Sequence, residues 1–231
     1  MSGDLLQAAK GEPFVFFSAD GTPFRPVTLP TPPSHTGSVL VTADADHFAI
    51  AATSTGVRPA GAEQIWQSPD GITWAPTPAP PADQSSPTAV GYLNGRLTLV
   101  SGYSATGPTV ATLGDGGWTE AQLSKVMAAL PAGSQVYGVG AAIGPFGIAV
   151  AVSITSDSTA PLGPSGYDLH APVSRDGLTW SDEVLDQLAG TTIAEVPKIV
   201  VTGNRFIVTA QHPVPKDNPP APETVLVATA R

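Results

Sequence analysis

One seven-residue string occurs twice in this chain of 231 residues. Ser68-Pro69-Asp70-Gly71-Ile72-Thr73-Trp74 and Ser174-Arg175-Asp176-Gly177-Leu178-Thr179-Trp180 share the pattern S-x-D-G-x-T-W. A looser copy is Ser18-Ala19-Asp20-Gly21-Thr22-Pro23-Phe24, and a worn one is Gly114-Asp115-Gly116-Gly117-Trp118. The aspartates at 20, 70, 115 and 176 are spaced 50, 45 and 61 residues apart. A repeat of that length marks an array of like units, each unable to bury both its faces alone.

A second feature recurs in phase. Paired β-rich runs flank tight-turn signals at Asp44-Ala45-Asp46, Asn94-Gly95, Gly144–Gly147 and Gly203-Asn204. Asn-Gly is the strongest of these, because both central residues of a type I′ turn need positive φ. Each unit therefore reads as hairpin, loop, strand, box, strand. Four strands per 45–61 residues is the spacing of a propeller blade. The expected fold is all-β: a β-propeller of about four to five blades, whole or part of a larger ring, with short helical insertions.

The box has a physical logic. Its Ser and Asp side chains bond the turn backbone, Gly accepts a left-handed conformation, and the terminal Trp or Phe packs between sheets. On that reading Trp74→Ala costs about 3–5 kcal/mol. The string resembles the Asp box, or BNR repeat, of sialidase-like propellers, one residue shorter than S-x-D-x-G-x-T-W. The resemblance covers Ser18, Asp20, Gly21 and Phe24; Ser68, Asp70, Gly71 and Trp74; Asp115, Gly116 and Trp118; and Ser174, Asp176, Gly177 and Trp180. It implies a structural turn on the outer rim, away from any active site, and so speaks to fold and not to chemistry.

Residues 1–12 read as an N-terminal arm and 13–231 as one propeller domain, with units near 13–30, 37–80, 85–130, 134–190 and 193–231. The first unit has a box without a hairpin and the last a hairpin without a box. Pairing the two would close a ring, yet Phe14–Phe17 and Val225–Ala228 compete for the same third-strand place. Thr119-Glu120-Ala121-Gln122 has the form of a capping box, followed by apolar residues at helical spacing, and Ser181–Leu188 reads as a second short helix.

Composition excludes several classes. Ten basic residues, spread singly against 19 acidic ones, offer no stripe for nucleic acid. The absence of Cys rules out disulfides and thiolate metal sites. Pro (25) and Gly (24) are abundant, but 42% hydrophobic residues suffice for a core. The apolar run Gly138–Ile154 is broken by Gly-Pro-Phe-Gly and reads as two strands, not a membrane span. No cofactor or metal is expected: Gly138–Gly144 leads into Pro145 instead of a helix, and Asp44, Asp46 and His47 read as turn residues. The resemblance to sialidases would require an arginine triad, and the few arginines (25, 58, 96, 175, 205, 231) fall in turns, loops or a terminus.

The expected function is a non-catalytic binding or scaffolding module for a protein or glycan partner; the rival is a sialidase-like carbohydrate-active enzyme. Trp66, Tyr103, Tyr137 and Tyr167 are the candidate ligand-binding aromatics, since aromatic faces stack on sugar rings. The acidic, Lys-poor, Ala/Pro/Thr-rich composition points to an extracytoplasmic setting, with the cytoplasm as the alternative.

Overall fold

Asn94 and Gly95 have φ of 51° and 73°, both left-handed, and close a hairpin by a two-residue turn. Such turns organise the chain. The computed structural model describes residues 15–18, 23–30, 39–52, 64–81, 87–102, 108–123, 135–155, 168–182, 198–210 and 224–229. They form a β-propeller arrangement of antiparallel sheets, each built from strands consecutive in the sequence.

A leading hairpin pairs β1 (Val15–Phe17) with β2 (Arg25–Val27). The first blade follows in the order β3 (Val39–Ala43), β4 (Phe48–Ala52), β5 (Gln64–Ser68) and β6 (Ala75–Pro76). The second blade is β7 (Pro87–Leu93), β8 (Arg96–Ser101), β9 (Thr109–Gly114) and β10 (Gly117–Gln122). The third holds β11 (Gln135–Gly144), β12 (Gly147–Thr155), β13 (Asp168–His170), β14 (Pro172–Ser174) and β15 (Ser181–Asp182). Val152 lies opposite His170 and Ile148 opposite Ser174, which is one register. β13 and β14 are thus a single third strand interrupted at Ala171. The fourth sheet is β16 (Lys198–Thr202), β17 (Arg205–Ala210) and β18 (Thr224–Thr229).

Successive side chains of a strand point to opposite faces, and in β4, β5 and β8 both faces are buried. On the first blade, Ala49, Ala51 and Ile65 meet Tyr92, Leu97 and Leu99 of the second. Ile50, Ala52 and Trp66 face the other way, under Leu29. Val100 and Val110 of the second blade pack on Val139, Ile148, Val150 and Val152 of the third. Ala142 and Ala149 of the third meet Phe206 of the fourth. Each fully buried aliphatic contributes about 1.5–3 kcal/mol, so the layers between blades hold the array together.

The two ends of the sheets differ. One end has connections of two to seven residues: 18–24, 44–47, 69–74, 94–95, 115–116, 145–146, 175–180 and 203–204. From the other end run the connections 28–38, 53–63, 77–86, 102–108, 123–134, 156–167, 183–197 and 211–223, seven to fifteen residues long. Tyr92, at the close of β7, donates to the carbonyl of Phe48, beside the 44–47 turn, at 3.1 Å. The short turns of neighbouring blades are therefore on one side.

The expected helix start at Thr119–Gln122 is corrected: these residues lie in β10. The Asp115-Gly116 turn returns the chain along β9, and Leu123 N–H extends the ladder to the Pro108 carbonyl at 3.2 Å. Strand pairing wins over the helical pattern because Thr119, Glu120 and Ala121 have ready partners in Thr112, Ala111 and Val110. Ser181 and Asp182, the start of the second expected helix, form β15; residues 124–130 and 183–188 lie outside the described residues. The run 138–154 is β11 and β12 with a turn at Pro145-Phe146. Among the described residues no helix is long and apolar enough to cross a membrane.

Candidate functional site

The repeated string builds the same turn twice, between the third and fourth strands of the first and third blades. Ser68 Oγ accepts the N–H of Gly71 at 2.8 Å and of Asp70 at 3.3 Å, and donates to Asp70 Oδ1 at 3.0 Å. The hydroxyl's one donor and two lone pairs are all used. Asp70 Oδ1 also accepts the N–H of Ile72 at 2.8 Å and Thr73 at 2.7 Å, while Oδ2 takes the Thr73 hydroxyl at 3.1 Å. Ser174 and Asp176 repeat this pattern with Gly177 at 2.9 Å, Leu178 at 2.8 Å and Thr179 at 2.7 Å. Gly71 and Gly177 supply the left-handed residue, with φ of 73° and 76°. The Thr73 N–H foremost, then that of Ile72, holds the Asp70 carboxyl at about 2; Thr179 and then Leu178 do the same for Asp176. These carboxylates are committed to their own turns.

The other copies differ. Asp115 and Gly116 form a two-residue hairpin turn at the equivalent place in the second blade, so that copy keeps the position without the turn's bonding pattern. Its Trp118 nevertheless reaches the first blade, donating from Nε1 to the Pro78 carbonyl at 2.9 Å. Asp20 and Gly21 lie outside the described residues; Ser18 is half-buried. Phe24 does not pack as expected for the box aromatic. It is 64% exposed, because no described sheet covers its side of the leading hairpin. Trp74 and Trp180 are half-buried against the blade cores.

The candidate ligand-binding aromatics separate. Trp66 is not on the surface: it is 0% exposed, and its Nε1 donates to the Pro30 carbonyl at 2.7 Å. Burial between Leu29 and Ile50 removes both ring faces from any ligand. Tyr137 sits near the start of β11, at the end of the sheets from which the long connections run. Tyr103 and Tyr167 belong by sequence to the connections 102–108 and 156–167 and lie outside the described residues.

At the short-turn end, a cleft of about 210 Å³ lies between the second blade and the third blade's repeated turn. Arg96, Thr112, Thr119, Asp176 and Leu178 are among the residues lining it. The sequence reading missed this cleft, since its walls come from two blades and no single motif contains it. Asp44, at the first hairpin turn, uses Oδ1 to accept the N–H of Asp46 at 2.8 Å and of His47 at 2.7 Å. Among the described residues no group of three His, Cys, Asp or Glu side chains could hold a metal ion.

No protein-family description and no curated protein matches the sequence. Among solved structures, the chain is similar to an α-L-arabinanase of Penicillium chrysogenum complexed with arabinobiose. The TM-score is 0.50 at 14% identity, over 80% of this chain and 61% of that one. It also matches a β-fructofuranosidase of Bombyx mori, with a TM-score of 0.45 at 14% identity, over 85% of this chain and 47% of that one. A third match is a lectin of Aleuria aurantia in complex with α-methyl-L-fucoside, with a TM-score of 0.44 at 12% identity, over 83% and 63%. The chain thus spans 47% to 63% of the length of these proteins. At 14% identity the likeness to the arabinanase is one of architecture, and it agrees with the consecutive antiparallel sheets: the chain is built as a β-propeller.

Proposed function

We propose that this propeller is a non-catalytic binding module whose recognition surface is the end from which the long connections run, with a glycan as its ligand. The asymmetry of the two sheet ends is the observation that carries the reading. The blades form a rigid scaffold, and long connections gathered at one end of such a scaffold are where binding residues concentrate. Tyr103, Tyr137 and Tyr167 all belong to that end by their place in the sequence. An arabinanase of the same architecture is complexed with a disaccharide, which supports sugar as the ligand class. The repeated turns at the opposite end are, on this reading, Asp-box-type structural turns of a sialidase-like propeller that fix strand geometry and leave chemistry to other residues. The acidic, Lys-poor, Ala/Pro/Thr-rich composition supports an extracytoplasmic setting.

A glycan array with the full chain tests this, alongside a Tyr103→Ala/Tyr167→Ala variant checked for an unchanged cooperative melt. Selective binding lost in the folded variant is the expected result. A blank array with folded protein would overturn the glycan assignment and point to a protein partner. Release of reducing sugar from a bound glycan would make the chain an enzyme.

A further inference from the structure

We propose that the cleft between the second blade and the repeated turn of the third is a binding site for a small carboxylate with a short apolar body, its charge taken by Arg96. The cleft is at the short-turn end, away from the recognition surface proposed above, so neither reading depends on the other.

The cleft exists because the two faces of the β9–β10 ribbon carry side chains of different size. On the face towards the first blade, Leu113 lies opposite Trp118, and both pack into the layer there. On the other face the opposed pairs are Thr112 with Thr119 and Val110 with Ala121. These smaller pairs leave a space of about 210 Å³ beside Gly177 and Leu178 of the third blade's turn. A Cβ built on Gly177 would stand 3.5 Å from Leu93 Cδ2 and 3.9 Å from Val110 Cγ1, which sets the turn against the apolar wall of the cleft. Leu178 is 70% exposed at this cleft, an apolar side chain that a ligand's hydrocarbon would cover. The volume is below the roughly 300–1,000 Å³ of pockets for drug-sized ligands, so the body must be short.

The polar groups of the cleft are unmatched donors. Arg96 opens β8 and is exposed; among the described residues its guanidinium has no ion-pair or hydrogen-bond partner. The Asn94 amide and the Thr119 hydroxyl also line the cleft and are likewise unbonded among the described residues. The acidic side chain there, Asp176, is already occupied. It accepts the Ser174 hydroxyl at 3.1 Å, the N–H groups of Leu178 and Thr179, and the Thr179 hydroxyl. Four donors fill the roughly four lone-pair sites of a carboxylate. The charge left to match is therefore positive. A planar guanidinium takes a carboxylate through two parallel bonds, and the apolar wall suits the hydrocarbon behind it. A phosphate would find one cation and few donors. A sugar ring would find no aromatic face among the described lining residues.

A second observation comes from the same layer between the blades. Trp74 donates its indole N–H to Gly71 O at 3.0 Å, but the indole N–H of its counterpart Trp180 is buried and donates to nothing. Trp180 packs on the cluster that contains Leu93 and Val110, two walls of the cleft. A buried donor without a partner is costly, and an acceptor entering this layer relieves that cost.

The test is a titration of the full chain, labelled with nitrogen-15, with isocaproate at pH 7 and with its neutral isostere isocaproamide. A contact of this size should saturate at about 1 mM carboxylate. The amide should bind at least tenfold more weakly, as should isocaproate to Arg96→Gln, since a charge-assisted pair is lost in each. Arg96→Gln changes an exposed side chain, and an unchanged melt confirms its fold. The indole N–H signal of Trp180, assigned by its loss in Trp180→Phe, should move on binding while that of Trp74 stays in place. N-acetyl-leucine beside N-acetyl-leucinamide separates two sources of the same chemistry. Tighter binding than isocaproate makes the natural occupant the C-terminal carboxylate of a peptide; weaker binding makes it a free acid. Three results would overturn the proposal: no binding to folded protein at about ten times the expected concentration, equal binding of acid and amide, or unchanged binding by Arg96→Gln.

Discussion

Asp70 accepts the backbone N–H of Thr73 at 2.7 Å, and Asp176 accepts that of Thr179 at the same distance. Both carboxyls are held at about 2 instead of 3.8. A folded-state pKa below the unfolded one gives stability that is present above the unfolded value and lost as pH falls through the folded one. Stability from these turns should be flat down to about pH 5 and drain away between about pH 4 and pH 2. The Asp70→Asn/Asp176→Asn variant should be less stable than the natural chain at pH 7, with the gap narrowing as pH falls to 2. Urea melts at several pH values measure that gap; a gap independent of pH would remove the carboxylates from the account.

The tryptophans of the first blade should differ. Trp66 is fully buried and its indole N–H is bonded to Pro30, so Trp66→Ala should cost about 3–5 kcal/mol. Trp74 is half-buried, and its indole bonds Gly71 O within its own turn at 3.0 Å. Its loss should fall below the 3–5 kcal/mol expected from the sequence pattern alone, to about 1–2 kcal/mol. Equal losses in denaturant melts would mean that the turn aromatic, and not the third-strand one, pins the blade.

Two glycines of one hairpin separate space from backbone conformation. A Cβ on Gly91 would stand 2.5 Å from Ile143 Cβ and 3.0 Å from the Ile143 carbonyl, across the layer between the second and third blades. Gly91→Ala must push those blades apart and should cost about 3 kcal/mol or more. Gly95 has open space around it but a φ of 73°, so Gly95→Ala should cost only about 1–2 kcal/mol. The ordering of the two melting midpoints decides the matter, and a Gly95 variant weaker than the Gly91 one would contradict the close approach.

Turn chemistry made the hairpins legible in the sequence. Asn94-Gly95 and Gly203-Asn204 announce their geometry locally, and the spacing of the S-x-D-G-x-T-W string announces the repeat. One local signal misleads beside another. Thr119–Gln122 looks like a helix start, but the Asp-Gly pair just before it is a two-residue hairpin turn that binds these residues to β9; taking Asp115-Gly116 only as a worn copy of the repeat hides that hairpin. Trp66 and Phe24 failed for another reason. Strand periodicity gives the face of a side chain but not what covers that face; Leu29 covers Trp66, and nothing described covers Phe24. The cleft between Arg96 and Leu178 was illegible because it exists only where two blades meet.

Tyr92 joins the first two blades through three partners. Its hydroxyl donates to the Phe48 carbonyl at 3.1 Å and accepts from Gln67 Nε2 at 3.2 Å, and its ring stacks on His47 at 5.4 Å. Burial raises the pKa of this phenol, which keeps it a donor at neutral pH. Tyr92→Phe keeps the ring and its packing but leaves the Phe48 carbonyl and the Gln67 amide without the hydroxyl, at a cost of about 1–2 kcal/mol. Gln67→Ala in the natural chain should cost more than Gln67→Ala in the Tyr92→Phe background, with a coupling of about 0.5–1 kcal/mol. Additive losses across that double-mutant cycle would show that the 3.2 Å bond between the blades contributes nothing to their docking.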